Sequence, residues 1–100
     1  MAQNTGVLGG YNYNHILLAA PTTTLVKTGA GILHSITFNK PVATAVVVIY
    51  NGIDASGDPI ASITVPASPL PLTLTYDVSF TTGLTIVTTT AASDITISYV

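Results

Sequence analysis

The sequence predicts an all-β protein: a single small antiparallel β-sandwich, Ig-like or jelly-roll-like, with about six to eight short strands and an irregular N-terminal arm. Three observations carry this. Apolar and polar residues alternate with a period of two through most of the chain. Clusters of Gly, Pro, Asn and Asp interrupt these runs at intervals of roughly 8–12 residues. No segment places its apolar residues at helical spacing. A length of 100 residues suits one domain.

Residues 1–14 read as the arm and 15–100 as the sandwich. The arm is rich in Gly and Asn and shows no regular period, yet it carries Val7, Leu8, Tyr11 and Tyr13. These are worth burying against a neighbour, and Tyr is a favoured interface residue. Two weaker strands follow at 15–20 and 22–28. Gly29-Ala30-Gly31 opens the next run, in which Ile32, His34, Ile36 and Phe38 fall on one face and Leu33, Ser35 and Thr37 on the other. Lys40-Pro41 closes it. The unbroken apolar run Ala45-Val46-Val47-Val48-Ile49-Tyr50 predicts a central strand buried on both faces, and its β-branched residues disfavour helix. Asn51-Gly52 and Ser56-Gly57-Asp58-Pro59 bracket a hairpin-like loop before a strand at 60–65. Pro66, Pro69 and Pro71 form a stiff connection that cannot join a ladder. Leu72 to Phe80 alternates cleanly. Thr82-Gly83 turns the chain into a strand from Leu84, and Ala91-Ala92-Ser93-Asp94 turns it into the last, Asp94 to Val100.

Charge sets the second constraint. Only 6% of the residues are charged, against roughly 25% in a typical soluble domain. There is no Arg and no Glu; the charges are Lys27, Lys40, Asp54, Asp58, Asp77 and Asp94, and the net charge is −2. Such a chain cannot neutralise a run of phosphates, which argues against nucleic acid as a partner. A basic membrane-surface patch is excluded on the same ground. The absence of Cys removes disulfides, thiolate metal sites and a Cys nucleophile. No apolar stretch reaches the roughly 20 residues of a membrane-spanning helix. The first residues lack the basic segment of a signal peptide, so synthesis in a cytoplasm is expected. The mean hydropathy is +0.62. A domain this small cannot bury so much apolar surface internally, so other subunits are expected to cover part of it.

The search for chemistry yields little. His34 reads as a strand histidine beside Ile32 and Ile36, a candidate interface residue whose titration would make a contact pH-sensitive. His15 reads as a strand-edge residue, and no spacing supports a metal pair with His34. Asp54-Ala55-Ser56-Gly57-Asp58 faintly resembles the start of a calcium loop but lacks the downstream Glu; an Asx-type turn explains it better. Asp77 interrupts a Thr face, either as a charge against edge pairing or as a partner for Lys27 or Lys40. There is no Gly-x-Ser-x-Gly elbow and no phosphate loop. Thr-x-Thr pairs do not recur with the fixed repeat of an ice-binding array. No catalytic, cofactor or metal residues are assigned, and the chain is not expected to be an enzyme.

A resemblance adds to this. Val26-Lys27-Thr28-Gly29-Ala30-Gly31-Ile32-Leu33-His34-Ser35-Ile36, the strand ending Val48-Ile49-Tyr50-Asn51, Leu74 to Ile86, and the closing Asp94-Ile95-Thr96-Ile97-Ser98-Tyr99 resemble small β-rich virion structural proteins of tailed bacteriophages. The match spans roughly residues 25–100. It implies a head decoration, or cement, protein. Such a protein binds the outer capsid surface as a homotrimer, bridges capsomers and has the major capsid protein as partner. A tail, baseplate or head-fibre component is the alternative, as is a carbohydrate-binding β-sandwich displayed on the virion. The interface candidates are Val7, Leu8, Tyr11, Tyr13 and His34.

Overall fold

A computed structural model describes residues 11–18, 22–88 and 93–100. Among them are eight strands: β1 (Asn12–Leu18), β2 (Thr22–Thr28), β3 (Gly31–Phe38), β4 (Val46–Asn51), β5 (Asp58–Thr64), β6 (Leu72–Phe80), β7 (Gly83–Thr88) and β8 (Ser93–Tyr99). They form two four-stranded antiparallel sheets, ordered β1-β8-β3-β6 and β2-β7-β4-β5. The pairs β1·β8, β2·β7, β3·β6 and β4·β5 nest inside one another. The chain is thus a long hairpin centred on the β4–β5 loop, rolled so that its strand pairs alternate between sheets. This is jelly-roll topology and decides between the two sandwiches that periodicity leaves open. β1 begins at Asn12, ahead of the expected sandwich boundary at residue 15, so residues 12–14 stand in an edge strand. Val7 and Leu8 lie outside the described residues, as does most of the turn expected around Ala91.

The core lies between the sheets. Leu33, Ile36 and Phe38 of β3 meet Val47 and Ile49 of β4, Leu84 and Ile86 of β7, and Ile95, Ile97 and Tyr99 of β8, all buried. Alternation places them there: in β7 and β8 every second side chain points inward. At β1 the inward side carries Ile16 and Asn14, whose Oδ1 is buried without a hydrogen-bond partner.

Two expectations are corrected. The first concerns β3. Leu33 pairs with Val78 and Tyr99, whereas Ser35 pairs with Thr75 and Ser98. His34 is therefore an extra residue relative to β8, and β6 sets two residues, Tyr76 and Asp77, opposite it. A bulge of this kind shifts side-chain parity by one. Leu33 points inward, His34 and Ser35 both follow on the outer side, and Ile36 and Phe38 return to the core. The expected face of Ile32, His34, Ile36 and Phe38 is split, with Ile32 left 44% exposed. The second concerns β4. Val47 and Ile49 are buried, but Val48 and Tyr50 are only half-buried on the outer side. β4 is central within its sheet, yet that side is covered only in part, at Thr85, whose hydroxyl donates to the Gly52 carbonyl at 2.7 Å.

Two non-glycine residues have positive φ, Thr44 (61°) and Asp77 (50°). Asp tolerates this region. Thr, being β-branched, does not, and left-handed backbone costs such a residue about 1–2 kcal/mol. Thr44 is held there because its N–H donates to the Val65 carbonyl at 3.0 Å in the β3–β4 connection. Thr44→Asn, which keeps the N–H and relieves the strain, is expected to raise the unfolding free energy by about 1 kcal/mol, readable by urea titration.

Candidate functional site: the outer face of the β1-β8-β3-β6 sheet

Antiparallel register lays polar residues across this face in rows. One row is Tyr13–Ser98–Ser35–Thr75, and the next is His15–Thr96–Thr37–Thr73. The hydroxyls of Thr37 and Thr73 hydrogen-bond at 2.9 Å. Beyond the first row, at the bulge, stand His34 and Asp77.

Both histidines of the chain lie on this face, each held by an aspartate from the neighbouring strand. The His15 Nε2–H donates to Asp94 Oδ1 at 2.6 Å, and the His34 Nδ1–H donates to Asp77 Oδ1 at 2.5 Å. Asp94 also accepts from the Asn39 side-chain amide at 3.0 Å, and the same amide reaches Thr96 Oγ1 at 3.0 Å. The Tyr11 ring stacks on the His34 imidazole, with centroids 4.0 Å apart and planes 8° from parallel. Tyr11 thus reaches over β8 to clamp a β3 side chain. Hydrogen bonding to His15, then to Asn39, holds the Asp94 carboxyl below its ordinary value of 3.8; the positive charges of His15 and Lys40 add to this.

That shift has a consequence for stability. A carboxyl whose folded pKa is depressed contributes stability above its unfolded pKa and loses it as pH falls through the folded value. Wild-type stability is therefore expected to fall as pH drops below about 4. Asp94→Asn is expected to show a shallower fall over the same range. Chemical denaturation at stepped pH checks it.

Three of the five sequence candidates, Tyr11, Tyr13 and His34, come together on this one face. Tyr11 and His34 touch; Tyr13 lies half-buried on β1. Asp77, weighed as a partner for Lys27 or Lys40, pairs with His34 instead. Asp94 and Asn39 carried no signal in the sequence, because nothing there shows that β8 lies between β1 and β3.

A hydrogen bond from one ring nitrogen to a carboxylate fixes the tautomer and orientation of an imidazole. Among the described residues no hydroxyl bonds the second nitrogen of either histidine, and no three His, Cys, Asp or Glu side chains converge. The face thus carries hydroxyl rows and two His–Asp pairs.

Elsewhere, Asp54 accepts from the Ser56 backbone N–H at 2.9 Å and from its hydroxyl at 2.5 Å, which holds the Asp54 carboxyl down and makes the expected Asx turn. An apolar cleft opens between the β5 and β6 edges, lined by Phe38, Pro41, Ile63, Val65, Leu72 and Leu74, among other residues. No protein-family model matches the chain, and neither a curated protein nor a solved structure matches it.

Proposed function

We propose that this chain is a non-enzymatic structural subunit of a bacteriophage particle, a decoration protein that binds the outer surface of the head shell and stabilises it by bridging capsomers. The observation that carries the reading is apolar exposure on a surface almost without charge. Leu17, Leu25, Ile53 and Leu70 are 68%, 47%, 54% and 74% exposed, in a chain with only 6% charged residues. Desolvating charge at an interface is costly, so Thr- and Ser-rich faces suit repeated contact. Jelly rolls occur as capsid domains and as lectins alike, so topology alone does not choose between them. The resemblance of residues 25–100 to small phage virion proteins supports the first. Each contact is modest, but a subunit that bridges several neighbours gains from effective concentration.

The test is cosedimentation of the purified protein with head shells stripped of it. Saturable binding to the heads, with a higher temperature of shell disruption, is the expected result. Binding only to tails would move the assignment to a tail component, and binding only to glycans would replace it with the lectin reading.

A further inference from the structure

Among the described residues four strands stand at sheet edges, β1 and β6 in one sheet and β2 and β5 in the other. Exposed edges invite strand addition, and proteins blunt them with bulges, Lys, Pro or charge. Three of these edges are blunted. β2 bulges at Val26 and carries Lys27, β5 bulges at Ile60 beside Pro59, and β6 bulges at Tyr76 and Asp77. β1 has no such device. It pairs with β8 in unbroken register from Asn12 to Leu18 and includes neither Lys nor Pro.

The segment able to cover this edge directly precedes it. The described chain begins at Tyr11, immediately after Gly9-Gly10. Gly-Gly favours a two-residue hairpin turn, because a type I′ turn needs positive φ at both central positions. That turn sets Leu8 opposite Tyr11, Val7 opposite Asn12, Gly6 opposite Tyr13 and Thr5 opposite Asn14. It also makes Leu8 and Tyr11 a hydrogen-bonded pair, so the Tyr11 peptide groups must point away from β8. The ladder places them so. Val100 exchanges both backbone bonds with Ile32 of β3, at 3.0 Å and 2.8 Å. Bonding direction alternates along a strand, so Tyr99 and Ile97 turn toward β1, where they meet Asn12 and Asn14. Tyr11 and Tyr13 therefore direct their N–H and C=O groups outward from the sheet edge.

A second observation is independent of the turn. Asn14 is only 8% exposed, and its Oδ1 is buried without a hydrogen-bond partner. Leaving such an acceptor unmet is costly. The register sets Thr5 against it in a non-hydrogen-bonded pair, where Cα atoms stand about 4.5 Å apart and side chains lie closest. The Thr5 hydroxyl is then placed to donate to Asn14 Oδ1. On the outer side Gly6 falls opposite the half-buried Tyr13, an arrangement in which an aromatic ring covers an edge glycine.

We propose that Thr5–Leu8 forms a further strand, folded back through Gly9-Gly10 onto the β1 edge, with the Thr5 hydroxyl bonded to Asn14. The chain thereby closes its own unblunted edge. Val7 and Leu8 pack against their own sheet rather than grip a neighbour. The inference stands apart from the particle role and holds whether or not the protein binds head shells.

Nuclear magnetic resonance of the full chain tests it. Hα–Hα cross-peaks are expected between Val7 and Asn12 and between Thr5 and Asn14. Gly9→Val combined with Gly10→Val puts β-branched residues at positive φ and should erase both cross-peaks. Amide exchange at Tyr11 and Tyr13 should be at least ~10-fold slower in wild type than in that variant. Gly9→Asn, which suits the turn, should keep the cross-peaks. Thr5→Val removes the donor at constant shape and should lower the melting temperature by about 4–8 °C, whereas Thr5→Ser should lower it far less. If the double Gly variant does not fold, the wild-type cross-peaks and the Thr5 pair carry the test. Absence of the cross-peaks in wild type, or a different register, overturns the proposal. Wild-type melting of Thr5→Val overturns the Asn14 contact. Cross-peaks found only between labelled and unlabelled copies in a mixed sample overturn closure by the chain itself.

Discussion

Phe80→Ala is expected to cost about 3–5 kcal/mol of unfolding free energy, the range for deleting a buried aromatic ring. Phe80 ends β6, is 1% exposed and pairs with Gly31 across the β3·β6 ladder. Its ring closes one end of the sandwich, where the β2–β3 and β6–β7 turns meet through the bond from the Gly29 N–H to the Thr82 carbonyl at 2.9 Å. A domain of this size has a total stability of about 5–15 kcal/mol. The substitution therefore removes a large fraction of it and lowers the melting temperature by on the order of 15–30 °C. Differential scanning calorimetry reads both quantities. A loss below about 1 kcal/mol would mean that the ring does not close the core as described.

Gly31→Ala is the second large effect, with an expected loss of about 2–3 kcal/mol from overpacking. A Cβ at residue 31 would overlap the Val100 carbonyl oxygen and stand 2.7 Å from Phe80 Cζ. The first contact is backbone, fixed by the two-way pairing of Ile32 with Val100, at 3.0 Å and 2.8 Å. The second is a ring that a smaller side chain would withdraw. The two substitutions should therefore be non-additive. Gly31→Ala is expected to cost less in a Phe80→Leu background than in wild type, yet still to destabilise, because the carbonyl overlap remains. Urea unfolding of the four proteins of the cycle measures the coupling. Strict additivity would contradict the close approach of glycine and ring.

The strands were legible where apolar residues alternate with polar ones, mostly Thr and Ser, over six or more positions, as in β6 and β8. Such runs fit only a pleated, half-buried surface. The turns at Gly29-Ala30 and Asn51-Gly52 were legible from their residue types alone. Strand order was not, because in a jelly roll the partners lie far apart in sequence: Asn12 pairs with Tyr99, and Thr22 with Thr88. The bulge at His34 was hidden too. Its parity shift arises from two neighbouring strands rather than from any local signal, and it turns His34 from a neighbour of Ile36 into a partner of Asp77. Tyr11 and Tyr13 were recognisable as side chains in need of a contact, but not as members of one face with His34. The outer side of β4 misled in the opposite direction. A run of Val and Ile reads as burial on both sides, whereas Val48 and Tyr50 are only half-buried.

The most direct test of a decoration role is imaging of intact particles that contain this chain. The account predicts an eight-stranded sandwich of about 36 × 30 × 23 Å on the outer head surface, at junctions between capsomers, with a sheet face against the shell. Density for the sandwich on the tail, or a head surface that lacks it while the protein is present in the particle, would contradict the account.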